Sequence, residues 1–372
     1  MEEKIKELAR IIVNYSLNVK KDEKVLITYK NSACNSFVKE LIKEITRTEA
    51  IPFVNRIEPE INILLKEKTT SKRIELMKEY QKFELDHFDS FINIQYNENE
   101  FDTKNIPDKI NREIKEKTYD IHNKIVNERK WVLLNYPSLI DSYKAQMTTE
   151  EYFNYAMDVM TLDYSKMNED VKPLKKLMEK TKKVRITGPG TDITFSIEKM
   201  PIIPCVGKCN IPDGEVYTAP IKTSVEGKIS YNTTSIHDGE KYENICLEFH
   251  KGKIISATCS DENKNDKLNK IFDLDKGSRY IGEFSFGINP KILNPMGDIL
   301  FDEKIIGSIH FTPGAAYKDC YNGNDSSLHW DLVLIQRKEH GGGSIYFDDV
   351  LVRQDGLFVL EELKHLNYGL KN

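Results

Sequence analysis

Six cysteines in 372 residues, at positions 34, 205, 209, 246, 259 and 320, are too few and too scattered for the disulfide framework of a secreted domain. No apolar run reaches the roughly 18 residues that a membrane-spanning helix needs. Charge of one sign never accumulates either: 54 basic and 59 acidic side chains are interspersed, for a net charge of -5. A chain without a basic face offers nucleic acid no electrostatic footing. The opening MEEKIKELARIIVNYSL starts acidic and amphipathic, not basic and then apolar as in a secretory signal. These absences lead to the expectation of a cytoplasmic protein with neither membrane nor nucleic acid as partner.

Several catalytic signatures are missing as well. No G-x-G-x-x-G follows a strand in the first half, and no P-loop occurs anywhere, which argues against nucleotide binding. The glycines of GPGTDITF join two strand-like pieces and suit a hairpin better than a phosphate cradle. There is no G-x-S-x-G elbow, and no cysteine has a histidine neighbour in a recognisable catalytic context, so serine and cysteine nucleophiles are disfavoured. Cys205 and Cys209 in CVGKC have the spacing of half a zinc site, but no second pair follows; they read as structural thiols. Neither an internal repeat nor a low-complexity linker is present.

What remains is ordinary globular material, 39% hydrophobic and 30% charged. A single core rarely grows beyond about 250 to 300 residues, so this length favours two domains. Helical spacing of Ile5, Leu8, Ile12 and Tyr15 precedes the buried strand KVLITY at 24 to 29. An amphipathic helix, the strand IPFVNRI, charged helical material over 58 to 85, and the strands DSFINIQY and KWVLLNYP around a Lys/Glu-rich helix near 105 to 129 continue the alternation. This predicts an α/β domain with a largely parallel sheet over residues 1–180, closing on helical segments from 148 that are interrupted at Pro173. From 183 on, short alternating segments joined by Gly, Pro, Asn and Asp turns predict a β-rich α+β domain over 181–372, with one helix near 261 to 273.

Four stretches of the second half set a metal-competent side chain beside glycine or proline: NIPDGEVYTAP with Glu215, YIGEFSFGINP with Glu283, EKIIGSIHFTPGAAY with Glu303, His310 and Tyr317, and NDSSLHWD with His329 and Asp331. Taken singly, Glu215 reads as a solvated turn carboxylate and His310 as a satisfied core histidine. Glu283 is harder to dismiss, because it interrupts an apolar strand where an unpaired carboxylate is costly. His329 and Asp331 stand two apart, so a strand would turn both to one face and around one divalent cation. Three carboxylates and two imidazoles exceed one tetrahedral site but suit two divalent ions sharing a carboxylate.

In order and rough spacing, these motifs resemble the M29 family of metallo-aminopeptidases, the thermophilic aminopeptidase T type, over about residues 185 to 335. GPGTDITF is similar to that family's Gly-Thr-Asp strand. The resemblance implies a homodimeric exopeptidase with an N-terminal α/β domain and a C-terminal metal-binding domain, removing N-terminal residues from peptides with a free N-terminus. Carried over, Glu215, Glu283, His310, His329 and Asp331 become ligands of two divalent ions (Zn, Co or Mn), with Glu283 as bridge. Glu303 matches a further acidic position, a ligand or a proton relay, and Tyr317 matches the catalytic tyrosine; Glu283 is the other candidate relay. Two departures stand out: Phe-Thr-Pro-Gly follows His310 where a small aliphatic run is usual, and the loop from Tyr317 to His329 is short. The same residues also suit another metal-dependent amidohydrolase, or a metal-binding or peptide-binding protein without turnover.

Overall fold

The computed structural model describes residues 2–370, and among these the chain forms two compact units. The first runs to Leu162 and takes in Gly207–Pro212; the second holds Asp163–Val206 and the chain from Asp213 on.

In the first unit the predicted helix–strand alternation builds a five-stranded sheet. Its order is Ile51–Ile57, Lys24–Lys30, Ser90–Tyr96, Lys130–Tyr136, Asn210–Ile211, and every neighbouring pair is parallel. Parallel strands need crossovers, which the intervening helices provide. Asn35–Arg47, for example, buries Phe37, Val38, Leu41 and Ile45 at helical spacing. The central strands bury Val25, Ile27, Ile92, Ile94, Val132 and Leu134 completely. The edge strand Ile51–Ile57 instead leaves Phe53 and Val54 each 46% exposed. Asn210–Ile211 has no counterpart among the expected strands, because two residues are too few to show a period.

The helical stretch expected over 148–180 is three helices, Thr149–Met160, Tyr164–Asp170 and Lys172–Met178. Pro173 opens the last of them, where its missing N–H costs no bond. Strand texture begins at Lys183, close to the expected boundary of 180, whereas the compact units divide after Leu162.

The second unit is mainly antiparallel. Eight strands form one sheet in the order Lys253–Thr258, Cys246–His250, Glu226–Ser230, Thr191–Ser196, Lys183–Gly188, Ser344–Phe347, Val350–Gln354, Leu357–Phe358. GPGTDITF is the expected hairpin, pairing Gly188 with Thr191. A second sheet of five strands runs Val333–Ile335, Ser308–Pro313, Ile281–Gly287, Glu215–Thr218, Ile203–Cys205. The two sheets meet through rings: Phe195 lies 5.0 Å from both Phe284 and Phe311, and Phe286 lies 6.0 Å from Phe347 and 5.6 Å from Phe358. Each buried phenylalanine contributes about 1.5–3 kcal/mol through removal from water. The helix predicted near 261 to 273 is Asn265–Phe272, and a second, one-turn helix, Ile299–Asp302, was not expected.

Candidate metal centre

Alternation along three strands of the five-stranded sheet separates chemistry from packing. In Ile281–Gly287, Phe284 and Phe286 enter the aromatic core, so Glu283 and Ser285 turn to the opposite face. In Ser308–Pro313, Ile309 and Phe311 pack inward while His310 and Thr312 turn outward with them. Cross-strand register brings the outward set together: Glu283 opposes Thr312, Ser285 opposes His310, and Gly287 opposes Glu215. A bulge between Ile281 and Glu283 aims the carboxylate. Gly282 is required there, because a Cβ would lie 2.1 Å from the Ala315 carbonyl oxygen. Asp331 and His329 arrive from the segment before Val333–Ile335, with His329 bridged to Gly314.

Two donor triads result, Glu215, Glu283, His310 and Glu283, His329, Asp331, each with its ligand atoms within 4.8 Å of one another. Glu283 belongs to both. His310 Nε2 is 2.9 Å from Glu283 Oε1 and 3.1 Å from Glu215 Oε2. His329 Nε2 is 3.3 Å from Asp331 Oδ1 and 3.5 Å from Glu283 Oε2. Both imidazoles are oriented from behind, since a carbonyl can only accept. His310 Nδ1 donates to the Glu303 carbonyl at 3.1 Å, and His329 Nδ1 donates to the Ala315 carbonyl at 2.9 Å. That leaves each Nε2 to face the carboxylates, the arrangement by which metal-binding histidines are held. The carboxylates are held too: Ser285 Oγ donates to Glu215 Oε2 at 3.0 Å and Thr312 Oγ1 to Asp331 Oδ1 at 2.7 Å.

The residues fit a divalent ion. His329 Nε2 is buried with no hydrogen-bond partner although two carboxylates flank it, and nitrogen and oxygen donors in this number suit a borderline cation. The electrostatics reflect the same crowding. Burial would raise Glu215, but the Lys304 ammonium and His310 outweigh it and hold the carboxyl below its ordinary value. Burial dominates at Glu283 and pushes it up despite His310. At His329 burial is overcome by Asp331 and Glu283, which lift the imidazole to about 10.

Glu215, Glu283, His310, His329 and Asp331 thus converge. Glu303 lies beside them without joining either triad: its carboxylate pairs with the ammonium of Lys304, a side chain with no exposed surface, which opposes the upward push of burial on the carboxyl. Tyr317 is half exposed, its ring 4.7 Å from His329 and 5.8 Å from Tyr217. Trp330 packs away from the centre, against His237, Tyr242 and Phe272. Cys205 stands opposite Glu215 and forms a third donor group with Asp213 and Glu215, while Cys209 is exposed. Sequence reasoning missed Lys304, Ser285 and Thr312. It also missed Asp275, whose carboxylate accepts from Ser327 N and Oγ at 2.7 Å each, Ser326 Oγ at 2.9 Å and Gly277 N at 2.9 Å, tying down the NDSSL segment before His329.

A sheet and the segment leading into its edge strand, together presenting three carboxylates and two oriented imidazoles to one point, define a divalent-metal protein. The chain belongs to the thermophilic metalloprotease (M29) family, whose profile matches residues 1–345. Aminopeptidase AmpS of Bacillus subtilis is 27% identical over 157 residues, covering 39% of this chain and 37% of that protein. Aminopeptidase PepS of Streptococcus thermophilus is 29% identical over 175 residues, covering 40% and 41%. Aminopeptidase T of Thermus aquaticus is 28% identical over 172 residues, again 40% and 41%. The matched segment therefore spans only about two fifths of these relatives. Among solved structures, AmpT from Thermus thermophilus superposes with a TM-score of 0.77 at 18% identity, covering 96% of this chain and all of that one. A 2,5-dihydroxypyridine dioxygenase from Pseudomonas putida gives 0.64 at 14% identity, covering 98% and 99%. At these identities the likeness is one of fold.

Proposed function

We propose that the protein is a metal-dependent aminopeptidase, releasing N-terminal residues from peptides, with two divalent ions (Zn, Co or Mn) held by Glu215, Glu283, His310 and by Glu283, His329, Asp331. The observation that carries the reading is Glu283, the one carboxylate common to both triads, with one oxygen toward each imidazole. The aminopeptidase names of the relatives support it. When bound, such a pair of ions lowers the pKa of water toward neutrality and polarises a carbonyl.

The chain's own residues supply the rest. Tyr317, with its ring packed on Tyr217 and His329, presents its phenol to donate a proton toward the oxygen that becomes negative as the peptide carbonyl is attacked. A carboxylate of the centre, Glu283 or Glu303, relays the proton that the attacking water gives up to the leaving amine. Lys304 holds one oxygen of Glu303 and leaves the other for that relay. Glu215 and Asp331 stay ionised and orient the imidazoles.

The fold does not choose between hydrolysis and the chemistry named for the dioxygenase; the donor count favours hydrolysis. A single ion would need only three donors such as His310, His329 and Asp331, whereas Glu215 and Glu283 add the further carboxylates that a pair of ions takes. The protein is proposed to work in the cytoplasm, in keeping with six free thiols, and as a homodimer. The dimer is supported by the apolar face that Ile61, Leu64 and Leu65 expose on a helix, Pro59–Glu67, with no buried residue. A sedimentation mass of one chain would remove the dimer.

The test is chelation followed by reconstitution with Zn, Co or Mn, assayed on a free-amine dipeptide and its N-acetylated form. The free amine is cleaved only with metal present, and the acetylated form is spared. Cleavage that survives complete metal removal contradicts the reading, and equal cleavage of both substrates makes the protein a different amidohydrolase.

A further inference from the structure

Lys304 is among the largest side chains in the molecule with no exposed surface, and it stands inside the acidic centre. Its ammonium pairs with Glu303 Oε1 and lies 3.9 Å from Glu215 Oε1. The other Glu215 oxygen, Oε2, belongs to His310 and Ser285. The two oxygens of Glu215 are thereby divided between a fixed cation and the metal-facing side. The main chain keeps the partners in register: the Glu303 carbonyl accepts from His310 Nδ1, and the Lys304 carbonyl accepts from Asn289 N at 3.0 Å. Burial opposes the ammonium's charge, but Glu303, Glu215 and Asp213 outweigh it.

We propose that Lys304 is a positioning residue that acts as a built-in cation of the centre, holding Glu303 out of the ligand set and confining Glu215 to coordination through Oε2 alone. This rests on the metal-centre reading above. Without the ammonium, two buried carboxylate oxygens would lose their counter-charge and turn to the nearest cation, as buried unpaired charges must. Lys304 thus fixes how many oxygens reach the ion beside His310. A lysine does this without competing for a ligand position, since an ammonium only donates.

Cobalt(II) titration of the metal-free full-length protein, followed by d–d absorption and calorimetry, tests this with wild type, E303Q and K304M. E303Q preserves volume and hydrogen bonding. It is expected to keep the wild-type band shape, intensity and ion count, with affinity reduced about tenfold because one compensating charge is gone. K304M is expected to lose band intensity, as extra carboxylate oxygens raise the coordination number. A changed E303Q spectrum or a lost ion would make Glu303 a ligand and overturn the proposal. So would a folded K304M with the wild-type spectrum. If K304M does not fold, E303Q alone decides. A wild-type protein that takes up no cobalt is a separate result, sinking the metal reading itself.

Discussion

Thr312 and Tyr317 show how single groups act at the centre. Thr312 sits in the Phe-Thr-Pro-Gly departure from the family pattern, and its hydroxyl donates to Asp331 while Phe311 beside it fills the core. The departure therefore carries an orienting bond and leaves the five converging donors in place. Tyr317 packs through its ring, so Tyr317→Phe keeps those contacts and deletes only the phenol. Turnover of a free-amine dipeptide is expected to fall by about 100-fold with KM little changed. Wild-type turnover would remove Tyr317 from the mechanism. Glu283 was legible because an ionisable side chain inside an apolar strand demands an explanation, and His329 and Asp331 through their spacing; Glu215 and His310 were legible only in combination with them. Lys304 was not, since a lysine following a glutamate reads as a solvated ion pair until its burial is known.

Among elements, three strands carry Glu215, Glu283 and His310, whereas His329 and Asp331, expected on a strand, stand in the segment before Val333–Ile335. The strand character of IGEFSFG and SIHFTP was legible, with Glu283 and His310 set inside apolar runs. It could not reveal pairing partners, so the contact of Glu215 with His310 had to wait for the register. The Asn210–Ile211 strand was illegible for want of length. Asp275 was illegible because it acts on a loop about fifty residues later in the chain. Its donors outweigh burial and hold the carboxyl well below its ordinary value, so it stays charged and clamps residues 326 and 327. Asp275→Asn should loosen the loop and weaken metal affinity at the His329 set by about 10–100-fold, the usual effect of losing a supporting group. The His310 set should be unchanged. Metal titration of the variant gives both affinities, and an equal loss at both sets would show a general structural effect.

At the scale of the molecule, the first unit's parallel sheet and the second unit's antiparallel sheets were both foreseen from texture, because helix and strand periods differ. The division after Leu162 was not, since helical sequence continues to Met178 and nothing in its spacing marks which core it joins. Family membership accounts for the order of motifs, while the shared fold of an aminopeptidase and a dioxygenase leaves the reaction to the donor set. The central claim is that one carboxylate, Glu283, bridges two ions. Zinc-edge anomalous diffraction from crystals grown with zinc tests it most directly. The expected result is two peaks per chain, one bonded to Glu215, Glu283 and His310, the other to Glu283, His329 and Asp331. A single ion on His310, His329 and Asp331, with Glu283 unbonded, would contradict it.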